Sequence, residues 1–238
     1  MWNHPAIPAA RFLDALDLPQ AGSKSTRSKH SLRSWVESGR SLMADEPKSA
    51  LANPAPLGLI GFGLTTVILS LINAGVLPKG GEPVVLPLAF AFGGLIQMLA
   101  GVMEFRTGNT FGTTAFISYG MFWLTLVALI YLPQILPGVP KADGPGLAAF
   151  LGLWGVFTFG LFFGTLRLSR ALQVVFLSLT ILFVLLAIHA ATGADAIGHL
   201  AGYEGLFCGA SAFYAGLAQV LNELYGKEVL PLGAVSRS

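Results

Sequence analysis

The chain has 238 residues, of which 54% are hydrophobic and 11% charged, with a formal net charge of +2 and a mean hydropathy of +0.69. A soluble domain carries about 25% charged residues, so a chain this size has no soluble packing that hides so much apolar surface, and an integral membrane protein is expected. A lone Cys208 excludes an internal disulfide framework or multi-cysteine metal centre, and His4, His30, His189 and His199 are too dispersed for a ligand cluster.

Residues 1–50 are rich in Ser, Lys, Arg and Pro. They read as a disordered basic cytoplasmic tail able to touch anionic lipid, with Met43 as an alternative start. No continuous apolar run marks an early signal peptide, so the first span serves as its own insertion signal. The apolar domain then covers residues 51–232, and 233–238 form a short tail.

A spanning helix needs about 20 apolar residues, and six stretches supply them: Leu57–Leu77, Val85–Met103, Phe111–Leu132, Gly146–Leu166, Ala171–Ala191 and Gly205–Asn222. None contains Asp, Glu, Lys or Arg; the charges and helix breakers fall between them, in turns that include Glu104–Thr110 and Thr192–Glu204. The runs are uniformly apolar rather than alternating, so helices are expected and a membrane barrel is not. With six spans both termini share one side. That side collects twelve basic residues against Lys79 and Lys141 on the other, which makes both termini cytoplasmic.

Polar groups inside a membrane are costly and mark candidate function. In the first span Phe62, Thr66, Ser70 and Asn73 follow spacings of four, four and three, a single helical face. Gln97 sits mid-way along the second span. Thr114, Ser118 and Thr125 share a face of the third, with Tyr119 one step round, and the fifth offers Gln173, Ser178 and Thr180. Two readings stand side by side: these groups line a narrow path without fixed charge, or each hydroxyl bonds its own or a neighbouring helix. Glu104 and Glu204, at helix ends, are candidate proton or vestibule acids; the plainer reading is a solvated or paired interfacial acid, with Arg106 the partner for Glu104. Glycine spacings at Gly58/Gly61/Gly63, Gly152/Gly155, Gly160/Gly164 and Gly205/Gly209 signal close helix packing within or between protomers.

Sharper alternatives fall away. A single Asn53-Pro54-Ala55 before the first span lacks the second half-helix motif a water channel needs. Gly209-Ala210-Ser211-Ala212 has no second glycine, and His189 precedes the serine, so an intramembrane serine hydrolase is not supported and no enzymatic activity is expected. A phosphate-cradling glycine loop followed by Lys-Ser or Lys-Thr is missing too.

The run Asn53-Pro54-Ala55-Pro56-Leu57-Gly58-Leu59, entering a Gly-Phe-Gly helix, resembles the signature of the acetate uptake transporter family, the succinate–acetate permeases. The resemblance continues through Gln97, Glu104, Gly108-Asn109-Thr110-Phe111-Gly112, Ser118-Tyr119-Gly120, Gly152-Leu153-Trp154-Gly155 and Val220-Leu221-Asn222-Glu223, over about residues 51–232. It implies an all-α, six-helix protomer in a homohexamer, each protomer with its own acetate path and no cofactor. It also implies a hydrophobic constriction at Phe62, Tyr119 and Leu179, and an Asn-Pro motif capping the first helix at the cytoplasmic entrance. A neutral, narrow lumen suits a ligand of one methyl and one carboxyl, since a lumen cation would bind it too tightly to release. Acetate and related short carboxylates, succinate among them, are therefore the expected permeants, by proton symport or as a channel, across the inner or plasma membrane. The rivals are a channel for another small neutral or weakly acidic solute and an acetate-binding membrane sensor.

Overall fold

The computed structural model describes residues 51–235. The expectations placed on residues 1–50 (the basic tail, most of the orientation charges, Met43) and on 236–238 lie outside the described residues.

Helix α1 runs Ala55–Asn73. Its start is fixed by Pro54 and Pro56, whose missing N–H groups cost nothing in a first turn, and by Asn53, whose Oδ1 accepts from the Ala55 N–H at 3.1 Å. It ends four residues earlier than the apolar run suggests. The chain turns at Gly75, which adopts φ +75° with the His199 ring against it. After one tight turn at Lys79–Gly81 come α2 (Glu82–Leu88), a π-helical stretch (Ala89–Ile96) and α3 (Gln97–Arg106), stacked as one span. Pro87 inside α2 removes a backbone donor, and the wider turns begin two residues later.

Three side chains start the next three elements. Asn109 accepts from Gly112 N to cap α4 (Thr110–Ile135), Asp143 accepts from Gly146 N to cap α5 (Gly144–Thr165), and Ser169 accepts from Leu172 N to cap α6 (Arg170–Thr192). Gly193, at φ +68°, ends α6. Helix α7 then runs Asp195–Tyr225, beginning ten residues before the expected span. The expected turn Thr192–Glu204 is thus mostly helix, and Glu204 lies on it rather than in a loop. Asp195 in the first turn of α7 complements the positive end of the helix, which a reading by charge alone takes for loop.

Among the described residues five helices are long and apolar enough to cross a membrane: α1, the Pro83–Arg106 span, α4, α5 and α6. The fold is all-helical there, apart from a single bridge between Ser169 and Ala234. Helix α1 packs along α7, α5 along α6, α6 along α7, and α3 along α4. The α1–α7 contact is made by glycines. A Cβ on Gly63 would lie 2.7 Å from the Gly209 carbonyl, and one on Gly209 would lie 2.8 Å from the Gly63 carbonyl. By contrast Gly152 and Gly160 on α5 face open space, beside exposed Leu153, Val156 and Phe163. Beyond α7 the chain folds back. Asn222 Oδ1 accepts from the Val229 and Leu230 N–H groups, and Val235 N donates to Leu168 O.

Candidate functional site

The α1 face is the wall of a cavity of about 400 Å³. Phe62, Thr66, Ser70 and Asn73 line it from α1, Phe122 and Trp123 from α4, and Leu179, Leu182 and Phe183 from α6; His189 and Gly193, at the end of α6, line it too. Asn73 and His189 also line an adjoining cavity of about 330 Å³ with Asp195 and His199. Both histidines are tied by Nδ1 to backbone carbonyls, His189 to Ala194 at 3.0 Å and His199 to Ala74 at 3.1 Å.

Toward the start of α1 the space closes. Phe62 and Leu179 line the large cavity and also a small one of about 20 Å³, together with Leu59, Gln97, Phe116, Tyr119 and Phe176. That smaller volume admits about one water, which needs roughly 10–15 Å³. Phe62 and Tyr119 stand 5.9 Å apart, centroid to centroid, and Tyr119 is further walled by Trp154, Phe157 and Phe176 at 6.0, 5.8 and 6.1 Å. Phe62, Tyr119 and Leu179 are all buried. The three residues drawn from three different helices by the family resemblance all line the small cavity, and two of them, Phe62 and Leu179, also line the large one.

Gln97 is brought to the same place, 1% exposed, and its Oε1 has no partner among the described residues. Thr114, Ser118 and Thr180 are not among the residues lining either cavity. Thr114 is exposed, Ser118 half-buried, and Thr180 donates to Phe176 O on its own helix at 2.8 Å. Thr66 likewise donates to Phe62 O, so its hydrogen is engaged while its oxygen faces the cavity wall. Ser70 Oγ packs directly against Gly205 on α7.

The signature run is spread over several jobs. Asn53 Nδ2 donates to Gln219 Oε1 on α7 at 3.0 Å, tying the start of α1 to the end of α7. Pro54 and Pro56 are buried beside it, Ala55 opens the helix, and Leu57 faces outward. Gly58 leaves room for the Phe116 ring, and Leu59 lines the small cavity.

Glu104 is 1% exposed near the end of α3. Its partner is not Arg106, which sits two positions away on a helix and so points elsewhere. Instead Asn109 Nδ2 donates to Glu104 Oε2 at 2.7 Å and Thr107 Oγ1 at 3.3 Å, while Oε1 has no partner among the described residues. Asn109 thus holds the carboxyl with one end of its amide and caps α4 with the other. Replacing it by alanine removes the cap and strands the acid, so Asn109→Ala is expected to cost about 1–2 kcal/mol or more, read as a lowered thermal unfolding midpoint in detergent. Glu204 is half-buried on α7, and its Oε1 is also unpaired among the described residues.

Sequence reasoning named Leu179 but missed Phe122 and Trp123 from α4 and Leu182 and Phe183 from α6, and missed Thr158. The lining was hidden because an apolar wall inside an apolar span has no contrast. Among the described residues no group of three or more His, Cys, Asp or Glu is placed to hold a metal ion.

The sequence model of the GPR1/FUN34/yaaH family matches residues 37–227. The chain is 54% identical over 184 residues to the succinate-acetate/proton symporter SatP of Escherichia coli (strain K12), covering 77% of this chain and 96% of that protein. Acetate permease A of Emericella nidulans is 36% identical over 196 residues, covering 76% of this chain and 65% of the relative. A solved structure described as the bacterial acetate channel SatP superposes with a TM-score of 0.74 at 52% identity, over 77% of this chain and 99% of that one.

Proposed function

The chain belongs to the GPR1/FUN34/yaaH family, and from that premise we propose that it moves acetate and related short-chain carboxylates, succinate included, across a membrane. It is a multi-pass membrane transport protein and not an enzyme. The observation that carries the reading is the pair of cavities that share Phe62 and Leu179. A wide chamber with two hydroxyls and an amide along one wall narrows to an apolar, aromatic neck, and a glutamine oxygen unpartnered among the described residues lies on the far side.

Phe62, Tyr119 and Leu179 are the constriction. The neck passes a methyl group and holds back hydrated ions, while Ser70 and Asn73 offer weak, serial contacts to the carboxyl on one side and Gln97 on the other; Thr66, its hydrogen held by Phe62 O, contributes only an accepting oxygen. Thr114, Ser118 and Thr180 lie off this line. Glu104 and Glu204, buried and half-buried acids outside the cavity linings, are the candidates to carry a proton with the substrate. The signature Asn53–Leu59 secures the entrance through its tie to Gln219.

The membrane is the inner or plasma membrane, with α7 as a sixth crossing and both termini cytoplasmic. Six copies assemble, as the resemblance implies. The test is uptake of labelled acetate into proteoliposomes of the purified protein, with membrane potential clamped and protein-free vesicles as the leak control. Accumulation that requires an alkaline lumen marks proton-coupled uptake; equilibration that follows potential at constant pH marks an anion channel. No flux above leak overturns the transport reading in favour of the sensor.

A further inference from the structure

We infer that Thr158 on α5 is the positioning residue that fixes the gate ring of Tyr119, so that selectivity at the neck is set from a helix that does not itself line it. The inference rests on reading Phe62, Tyr119 and Leu179 as the constriction.

The geometry is a chain of two hydrogen bonds. The Tyr119 hydroxyl donates to Thr158 Oγ1 at 2.9 Å, and Thr158 Oγ1 donates to the Trp154 carbonyl at 2.7 Å. Both residues are buried, Thr158 at 0% exposure. Each hydroxyl has one hydrogen and two lone pairs, and here both hydrogens are committed away from the cavity. The phenol therefore has no hydrogen to offer a passing carboxyl, and the gate tyrosine acts through its ring. Its polarity is turned inward, toward α5.

The same helix supplies the ring's packing. Trp154 and Phe157 meet Tyr119 at 6.0 and 5.8 Å, and Thr158 lies one turn beyond Trp154 on the same face. Ring-on-ring contacts are tilted and tolerate sliding. The hydrogen bond holds the far end of the side chain, where a small rotation moves the ring edge most. Phe62 of α1 meets the same ring at 5.9 Å, so the tyrosine is held by packing from one helix and by a hydrogen bond from another. Valine at 158 keeps the shape and removes the hydroxyl, leaving a phenol O–H buried without an acceptor. That state is costly enough to turn the group toward the lumen, where water or a carboxyl takes the hydrogen.

The experiment measures the succinate-to-acetate uptake ratio in proteoliposomes for Thr158→Val, Thr158→Ser, Tyr119→Phe and the Thr158→Val/Tyr119→Phe double variant, beside Tyr119→Ala. Loss of one buried hydrogen bond is expected to raise the ratio roughly fivefold in Thr158→Val. Tyr119→Phe should move it in the same direction, and Thr158→Ser should stay with the parent. The double variant should lie no further from the parent than Tyr119→Phe alone, because both changes cut the same bond. A residue that only packs would lower both uptakes together and leave the ratio in place. If the ratio is unchanged in Thr158→Val while Tyr119→Ala raises it, the gate stands and the positioning role is overturned. Additive effects in the double variant overturn it equally. If Tyr119→Ala leaves the ratio unchanged too, the constriction reading itself fails. Should Thr158→Val not accumulate in the membrane, Tyr119→Phe decides from the other end of the bond: an unchanged ratio there overturns the proposal.

Discussion

Alanine at Phe62 or at Tyr119 is expected to admit dicarboxylates, raising succinate uptake relative to acetate on the order of tenfold, the scale on which a pocket discriminates small changes in ligand size. Phe62 lines both the 400 Å³ chamber and the 20 Å³ space beyond it, and Tyr119 lines the smaller one beside it. Truncating Phe62 merges the two volumes and truncating Tyr119 widens the smaller one, so in either case the opening no longer matches a single methyl. The price is packing: a buried aromatic cut to alanine typically loses about 3–5 kcal/mol, so folded yield is measured with flux and the ratio, not the absolute rate, is compared. Phe62 faces the chamber on one side and so loses fewer neighbours than Tyr119, which is ringed by four aromatics. An unchanged ratio in both variants removes these residues from the selectivity step.

The second large effect is on stability. Gly63→Ala places a Cβ 2.7 Å from both the Gly209 carbonyl and the Phe213 N–H nitrogen, two backbone atoms that cannot swing aside. Overpacking of this kind costs about 1–3 kcal/mol and sometimes more, and here it forces α1 and α7 apart along their whole contact. Gly160→Ala meets nothing within 4 Å and should be neutral or gain about 0.5–1 kcal/mol through the lower helix propensity of glycine. Thermal unfolding of the two variants in detergent separates them. Equal midpoints would mean that α1 and α7 do not approach as closely as the glycines require.

These two glycines also show how far the sequence reads. Both belong to spacings that promise close packing, yet the spacing is blind to what lies opposite. At Gly63 and Gly209 it is each other's backbone; at Gly152 and Gly160 it is open space. The apolar runs gave most helices to within a few residues, because a lipid-length stretch without charge has few other solutions. The exception was the start of α7, where Asp195 and Glu204 looked like loop and are helix. The face from Phe62 to Asn73 was legible since helical period alone brings it together. Thr158 was not: its partner is 39 positions away, and nothing in an isolated threonine on an apolar helix names a distant acceptor or donor. Arg106 seemed the natural partner for Glu104 by charge, but helical geometry separates neighbours two apart and delivers Asn109 instead.

The π-helical stretch Ala89–Ile96 has a consequence for how this span tolerates change. An ordinary helix advances about 100° per residue, whereas a wide turn absorbs surplus chain without adding a face. Gln97 begins immediately after it, and the angular phase of Gln97, Ala100 and Glu104 is set by how many residues the stretch has taken up. Trading one apolar side chain for another there leaves that phase alone. Gaining or losing a single residue would rotate the rest of the span, carrying Gln97 off the neck and Glu104 away from Asn109 in one stroke. The information held by these eight residues is therefore chiefly a count, and insertions or deletions, far more than substitutions, are the changes to which the path is brittle.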